Sequence, residues 1–313
     1  MDTLAVVMQQ PGEVALNRLG LPPLAESELA VSVLWSGIST GTERLLWEGT
    51  MPAFPGMGYP LVPGYETVGR VTHASDGFEH RIGELVFVSG ARCFGEIRGL
   101  FGGAASHLVV AEDKATPVAE HLQEDAILMA LAATAHHALA ISRDTPPDLI
   151  VGHGVLGRLL ARLTIACGHP APVVWEVDPQ RHAGARGYSV VRPDDDARTD
   201  YRCIVDVSGN VDALDGVIAR LQPRGTVVLA GFYSSRVSFN FPPAFMREAR
   251  FAIAAEWQPE DLAAVISLSD SGALALDGLV THREPAGNAG AAYKTAFEDA
   301  DCLKMILDWS HLT

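Results

Sequence analysis

Leu149-Ile150-Val151-Gly152-His153-Gly154-Val155-Leu156-Gly157 is a short apolar run that passes into a G-x-G-x-x-G string. Alone, three glycines at that spacing say little. Here they stand between an apolar run suited to a buried strand and a segment, residues 155–167, in which Leu156, Leu159, Leu160 and Leu163 recur at helical spacing. In that setting each glycine has a task. Gly152 permits the tight turn, Gly154 lets backbone approach a pyrophosphate, and Gly157 lets the helix pack closely on the strand. The helix start, with Val155 and Leu156, turns free N–H groups and the positive end of its dipole toward the phosphates.

Working outward, residues 173–177 form the next apolar strand and end at Asp178, 26 residues after Gly152. A carboxylate about 20 residues beyond the glycine string is placed to hold the ribose hydroxyls of a dinucleotide. Asp178 at the strand end is the expected holder; Glu176 shares its face and sits deeper. A carboxylate there repels a 2′-phosphate, so NAD is expected over NADP, with Arg181 nearby either a cofactor contact or a surface group. Strands at 203–207 and 227–231, with a helix carrying Val211, Leu214, Val217, Ile218 and Leu221 between them, complete a doubly wound α/β unit. Ser208 and Gly231, at the ends of those strands, join the expected cofactor set.

The first third has another texture. Short β-type runs at 29–35, 66–72 and 84–88 are separated by turns such as Pro63-Gly64 and Asp76-Gly77. That pattern suits an antiparallel barrel or sandwich. Residues 124–140 are helix-prone, and past about residue 276 a strand near 279–280 and a helix over 291–309 are expected to return to the first domain. The boundaries expected are 1–132 plus 277–313 for the outer domain and 133–276 for the inserted one.

Of 313 residues, 23 are basic and 38 acidic, for a net charge of −15, which speaks against a phosphate-backbone partner. Cys93, Cys167, Cys203 and Cys302 are scattered and read as free thiols. No charged leader precedes a long apolar run, and no stretch approaches the length of a membrane span. A cytoplasmic chain is expected, with a homodimer left open. Asp194-Asp195-Asp196 reads as a solvated loop, and the pair His136-His137 as a core or capping feature.

Four runs, in chain order, resemble the medium-chain alcohol dehydrogenases. They are Trp35-Ser36-Gly37-Ile38-Ser39-Thr40-Gly41-Thr42-Glu43, Pro63-Gly64-Tyr65-Glu66-Thr67-Val68-Gly69, Gly102-Gly103-Ala104-Ala105-Ser106-His107, and Leu221-Gln222-Pro223-Arg224-Gly225-Thr226-Val227-Val228. Residues 34–70 look more specifically like the branch serving bacteriochlorophyll synthesis. The resemblance implies a GroES-like β-barrel catalytic domain with an inserted Rossmann domain. It also implies oxidation of the 3-(1-hydroxyethyl) group of a tetrapyrrole pigment to acetyl. Zinc members ligate their catalytic metal at places held here by Ser39, Tyr65 and Ala130, a set that cannot form zinc's N/S shell. The four-cysteine lobe is reduced to Cys93. No metal is therefore expected.

Without zinc to acidify the alcohol, another group must manage its proton. Ser39, Tyr65 and Glu66 are the expected catalytic residues; Tyr65 either relays a proton or fills the vacated hole, and Glu66 either acts or supports the local fold. Thr134 matches the family threonine beside the nicotinamide. Trp35, Thr42, Arg44, Trp47, Phe54, Met57 and Tyr59 are the expected pigment wall, since a flat macrocycle wants apolar and aromatic surfaces. Two other readings stay open: a zinc-free quinone or enone reductase using NADPH, and a non-catalytic pigment-binding assembly subunit.

Overall fold

The computed structural model describes residues 1–142 and 145–312. The chain divides into two compact units, residues 1–130 with 277–313, and residues 131–276.

The first unit is built from two sheets. Asp2–Gln10 and Glu13–Gly20 form an antiparallel hairpin, and Leu61–Val62 and Arg98–Gly99 extend that sheet. The second sheet runs His282–Pro285, Met305–Asp308, Glu28–Ile38, Thr67–Ala74, Leu85–Val88 and Ala115–Pro117, with His107–Ala111 also pairing to Glu28–Ile38. An antiparallel bridge between Ala5 and Ala105 ties the two sheets together. Apolar residues such as Val6, Met8, Leu29, Val31, Val86, Val88 and Leu108 turn inward to one core.

The second unit is a six-stranded, all-parallel sheet. Its order is Ser189–Val191, Val173–Trp175, Leu149–Val151, Tyr201–Asp206, Leu221–Leu229 and Arg250–Ile253. Strand order reverses between Leu149–Val151 and Tyr201–Asp206, which pair side by side with Val151 opposite Asp206. Ligands of such sheets bind at the carboxyl ends of the strands flanking that reversal. The glycine string begins there: a side chain at Gly152 would meet the Ser208 backbone at 3.4 Å.

Three expectations are corrected. The C-terminal helix is Ala289–Glu298, shorter than 291–309, because Met305–Asp308 is a strand. Its first three residues are all buried, and it pairs antiparallel with Glu28–Ile38, setting Met305 opposite Ile38. A short buried apolar run suits a central strand as well as a helix, and periodicity cannot tell them apart; here strands on both sides pair with it. The strand expected at 279–280 lies at His282–Pro285. The strand expected at 227–231 begins earlier, as Leu221–Leu229, with Pro223-Arg224-Gly225 an irregularity inside it and Arg224 at φ 63°.

Candidate functional site

In the second unit, the string keeps the geometry its glycines imply. Gly152 takes φ +105°, a conformation open to glycine. A side-chain carbon on Gly157 would stand 1.9 Å from the Gly152 carbonyl oxygen, so only glycine lets Val155–Ala166 start so close beneath the turn. Around Gly154 there is open space, as backbone approach by a diphosphate requires. The first-turn N–H groups, those of Val155, Leu156 and Gly157, have no partner within the helix. Residues and space therefore fit a dinucleotide phosphate.

The two acids after the next strand have separate employments. Asp178 caps the short turn Pro179–His182, its Oδ1 accepting from the Gln180 N–H at 3.0 Å, with Arg181 3.9 Å from Oδ2. Glu176 instead faces the glycine string. Its Oε2 accepts from the His153 N–H at 3.0 Å and its Oε1 from the Asp178 N–H at 2.9 Å. Ser208 donates from N and Oγ to Asp206 Oδ1, and burial pushes the Asp206 carboxyl above the usual carboxylate range. Gly231 packs on Gly209, and Thr134 lies half-buried in Met129–Ile141.

One feature of the string escaped sequence reasoning. His153 points inward and is fully buried, with Nδ1 2.6 Å from the Arg181 carbonyl and Nε2 2.9 Å from the Tyr188 hydroxyl. Arg158 also donates to the carbonyls of His153 and Arg181. Burial lowers the His153 imidazole to about pH 4, so it is neutral, and Nδ1–H donates to the carbonyl while Nε2 accepts from tyrosine. The variable position of a G-x-G-x-x-G carries no mark of this in sequence. The pair His136-His137 shares one buried carboxylate, Asp261, at 2.7 and 2.9 Å.

In the first unit, Ser39 and Tyr65 come together. The Ser39 Oγ lies 2.6 Å from the Tyr65 hydroxyl and accepts the Thr42 N–H at 3.3 Å. Phe101, 37% exposed, stands edge-on to the Tyr65 ring at 5.2 Å. Burial, reinforced by the nearby Glu66 charge, pushes the Tyr65 phenol well above the usual tyrosine range. It is a hydroxyl donor at neutral pH and not a resident base.

Glu66 is corrected. The side chain is 0% exposed, and Lys304, 1% exposed, donates to both its oxygens at 2.6 and 2.9 Å and to the Ile38 carbonyl at 3.2 Å. Its carboxylate crosses the α-carbon of Gly37, where a side chain would meet Oε2 at 2.2 Å. A carboxylate so enclosed supports the strand pair and does not reach a substrate. Glu43 was not expected at all. It lies beneath Ser39, accepting the Ser39 N–H at 3.1 Å and the Tyr293 hydroxyl at 2.5 Å. Burial is the main cause, and the Glu66 charge a lesser one, that raises its carboxyl to about 7. Among the described residues no group of three His, Cys, Asp or Glu side chains is arranged to hold a metal ion. Ala130, at the third ligand place, is a buried methyl group.

The expected pigment wall divides. Trp47 stacks on Tyr293 at 6.0 Å and tilts on Phe297, so it belongs to the core packing. Tyr59 is anchored by its hydroxyl to the Leu46 carbonyl. Arg44 is exposed and paired to Glu48. Phe54 is exposed, Met57 half-buried, Thr42 begins the helix Thr42–Glu48, and Trp35 lies half-buried on Glu28–Ile38. Phe101 joins this surface although nothing in its sequence setting marked it.

A barrel of this kind, with a doubly wound unit bearing a glycine-string turn, defines the medium-chain dehydrogenases. Residues 25–120 match the alcohol dehydrogenase GroES-like domain. The chain is 54% identical over 310 residues to the 2-desacetyl-2-hydroxyethyl bacteriochlorophyllide A dehydrogenase of Rhodobacter capsulatus, covering 99% of each chain. It is 52% identical to the enzyme of the same name from Cereibacter sphaeroides, again over 99% of each. The chain therefore belongs to the bacteriochlorophyllide A dehydrogenase family of medium-chain dehydrogenases. Its fold also matches the solved L-idonate 5-dehydrogenase of Escherichia coli, with a TM-score of 0.87, 18% identity and 98% of each chain covered.

Proposed function

We propose that this chain oxidises the 3-(1-hydroxyethyl) group of a bacteriochlorophyllide to 3-acetyl, with NAD as the hydride acceptor, in bacteriochlorophyll synthesis. The observation that carries the reading is the Ser39–Tyr65 hydroxyl pair at the places where zinc members ligate their metal. The secondary alcohol gives up a hydride from carbon and a proton from oxygen, leaving the ketone. A bound nicotinamide dinucleotide supplies the hydride acceptor. Tyr65, held neutral by burial, takes the alcohol proton as it gives its own to Ser39 Oγ, 2.6 Å away, and Ser39 in turn releases one to solvent water, the final acceptor. Loss of hydride is eased by a ring that spreads the positive charge developing on the carbon, which suits a site whose donors do not build a zinc shell.

On the cofactor side, the first-turn N–H groups take the diphosphate. Glu176, bonded to the N–H of His153 inside the glycine string, takes the ribose hydroxyls in place of Asp178, which caps the turn beyond it. A carboxylate there supports NAD over NADP. The open edge strand Arg250–Ile253, with Ile253 73% and nearby Met246 76% exposed, supports a homodimer, which sedimentation would report. Among the described residues no helix is long and apolar enough to cross a membrane. The placement proposed is cytoplasmic. Incubation with the hydroxyethyl pigment and NAD or NADP tests the reading. A red-shifted acetyl product forming with NAD is expected; quinone reduction with NADPH and an untouched pigment would overturn it.

A further inference from the structure

The chain is strongly acidic, and most of its arginines are tied to carboxylates or carbonyls. Arg92 and Arg98 differ. Both are exposed, and neither side chain forms a hydrogen bond or ion pair among the described residues. They also share one neighbourhood. A side chain on Gly99 would lie 3.4 Å from the Arg92 α-carbon, and the Ala91 N–H donates to the Phe101 carbonyl at 2.8 Å, so the two stretches run together.

Arg98 is held where it is. Its strand, Arg98–Gly99, pairs with Leu61–Val62, setting Arg98 opposite Leu61. Its guanidinium lies against the backbone of Gly58, with Nε and Cζ 3.3 Å from where a side-chain carbon would begin. Gly58 separates Met57 from Tyr59 in the apolar segment, and Phe101, three residues beyond Arg98, meets the Tyr65 ring. An unneutralised guanidinium on a paired strand thus borders the apolar segment, and its strand leads to the reacting hydroxyl pair.

From this placement we infer that Arg98, with Arg92 beside it, binds the propionate carboxylate of the pigment and so makes the enzyme specific for the free acid over its esters. The inference rests on the pigment reading above. A bacteriochlorophyllide is the unesterified acid, and its carboxylate is a fixed negative group on an otherwise apolar plate. Guanidinium meets carboxylate through paired, charge-assisted hydrogen bonds, and covering by the macrocycle removes the water that weakens exposed pairs. An ester offers no such partner and leaves the cation desolvated without compensation.

The test compares the free-acid pigment with its methyl ester, using wild type, Arg98→Gln and Arg98→Lys. Wild type is expected to show a KM for the acid about tenfold below that for the ester, at similar kcat. Arg98→Gln should raise the KM for the acid about tenfold and leave the ester and NAD unchanged, and Arg98→Lys should restore part of the loss. Equal KM values for acid and ester in the wild type, or an equal rise for both in Arg98→Gln, would overturn the inference and leave the oxidation reading standing. Oxidation of neither pigment would overturn both.

Discussion

The glycine turn of the second unit and the hydroxyl corner of the first solve the same problem, that of burying polar groups at a working site, in opposite ways. Around Gly152, backbone does most of the work: glycines open a path to the N–H groups of a helix, and His153 is kept neutral beneath them by burial. Around Ser39, side chains do it: Glu66 and Lys304 are buried as a mutual pair, and Glu43 is held near its neutral form by burial with Tyr293 as donor. A site made of backbone needs particular glycines and tolerates variety elsewhere. A site made of side chains depends on each partner.

Breaking the buried pair should have the largest effect. Lys304→Met leaves Glu66 charged, enclosed and unpartnered, which costs about 3–5 kcal/mol, whereas Lys304→Met with Glu66→Gln should recover much of it. Denaturant unfolding of the two variants checks this. If the single variant loses under 1 kcal/mol, the pair is not as dry as its geometry states.

The two neutral groups make the contrast a matter of pH. Glu43 titrates at about 7 folded against 4.5 in the ordinary carboxylate, so its stabilisation is full below pH 4.5 and is lost as pH rises through about 7, a span of about 3 kcal/mol. His153 runs the other way: its contribution is present above pH 6.5 and is lost as pH falls through about 4. Both act between about pH 4 and 7 with opposite slopes, so in unfolding midpoints from pH 4 to 8 Glu43→Gln should make stability rise more steeply with pH and His153→Gln should make it fall more steeply. Parallel curves for wild type and both variants would contradict the assignment.

Catalysis sharpens the contrast further. Tyr65→Phe removes one hydroxyl from a relay used in the transition state, so kcat should fall about tenfold to a hundredfold while pigment KM changes little. Unchanged turnover would move the proton path off Tyr65. The smallest effect belongs to the ribose carboxylate: Glu176→Ser should weaken NAD about tenfold and narrow its lead over NADP, and Asp178→Ser should do neither. The reverse outcome would return the role to Asp178.

These two regions also explain what could be read without coordinates. Glycine roles follow from backbone geometry alone, so Gly152, Gly154 and Gly157 were legible where they stood, as was the parallel sheet behind them. Choosing Asp178 over Glu176 went by proximity to the strand end. The capping of Pro179–His182 by Asp178 and the bond of Glu176 to the His153 N–H, on which the proposal of Glu176 rests, carry no mark in sequence. In the first unit, Ser39 and Tyr65 were found through their family places. Their surroundings come from residues 250 and 238 positions apart, the Glu43–Tyr293 and Glu66–Lys304 pairs, and no local pattern encodes such pairs. The strand Met305–Asp308 was missed for the same reason: it is a strand because Glu28–Ile38 and His282–Pro285 pair with it on either side.

The most direct test concerns the hydroxyl corner itself. The protein is dialysed exhaustively against a strong chelator, its metal content is measured, and turnover of the hydroxyethyl pigment with NAD is followed by the red shift of the acetyl product together with NADH absorbance. Undiminished turnover, with one NADH formed per acetyl group, is the result expected of a Ser39–Tyr65 relay. Turnover that vanishes on chelation and returns with zinc would contradict it.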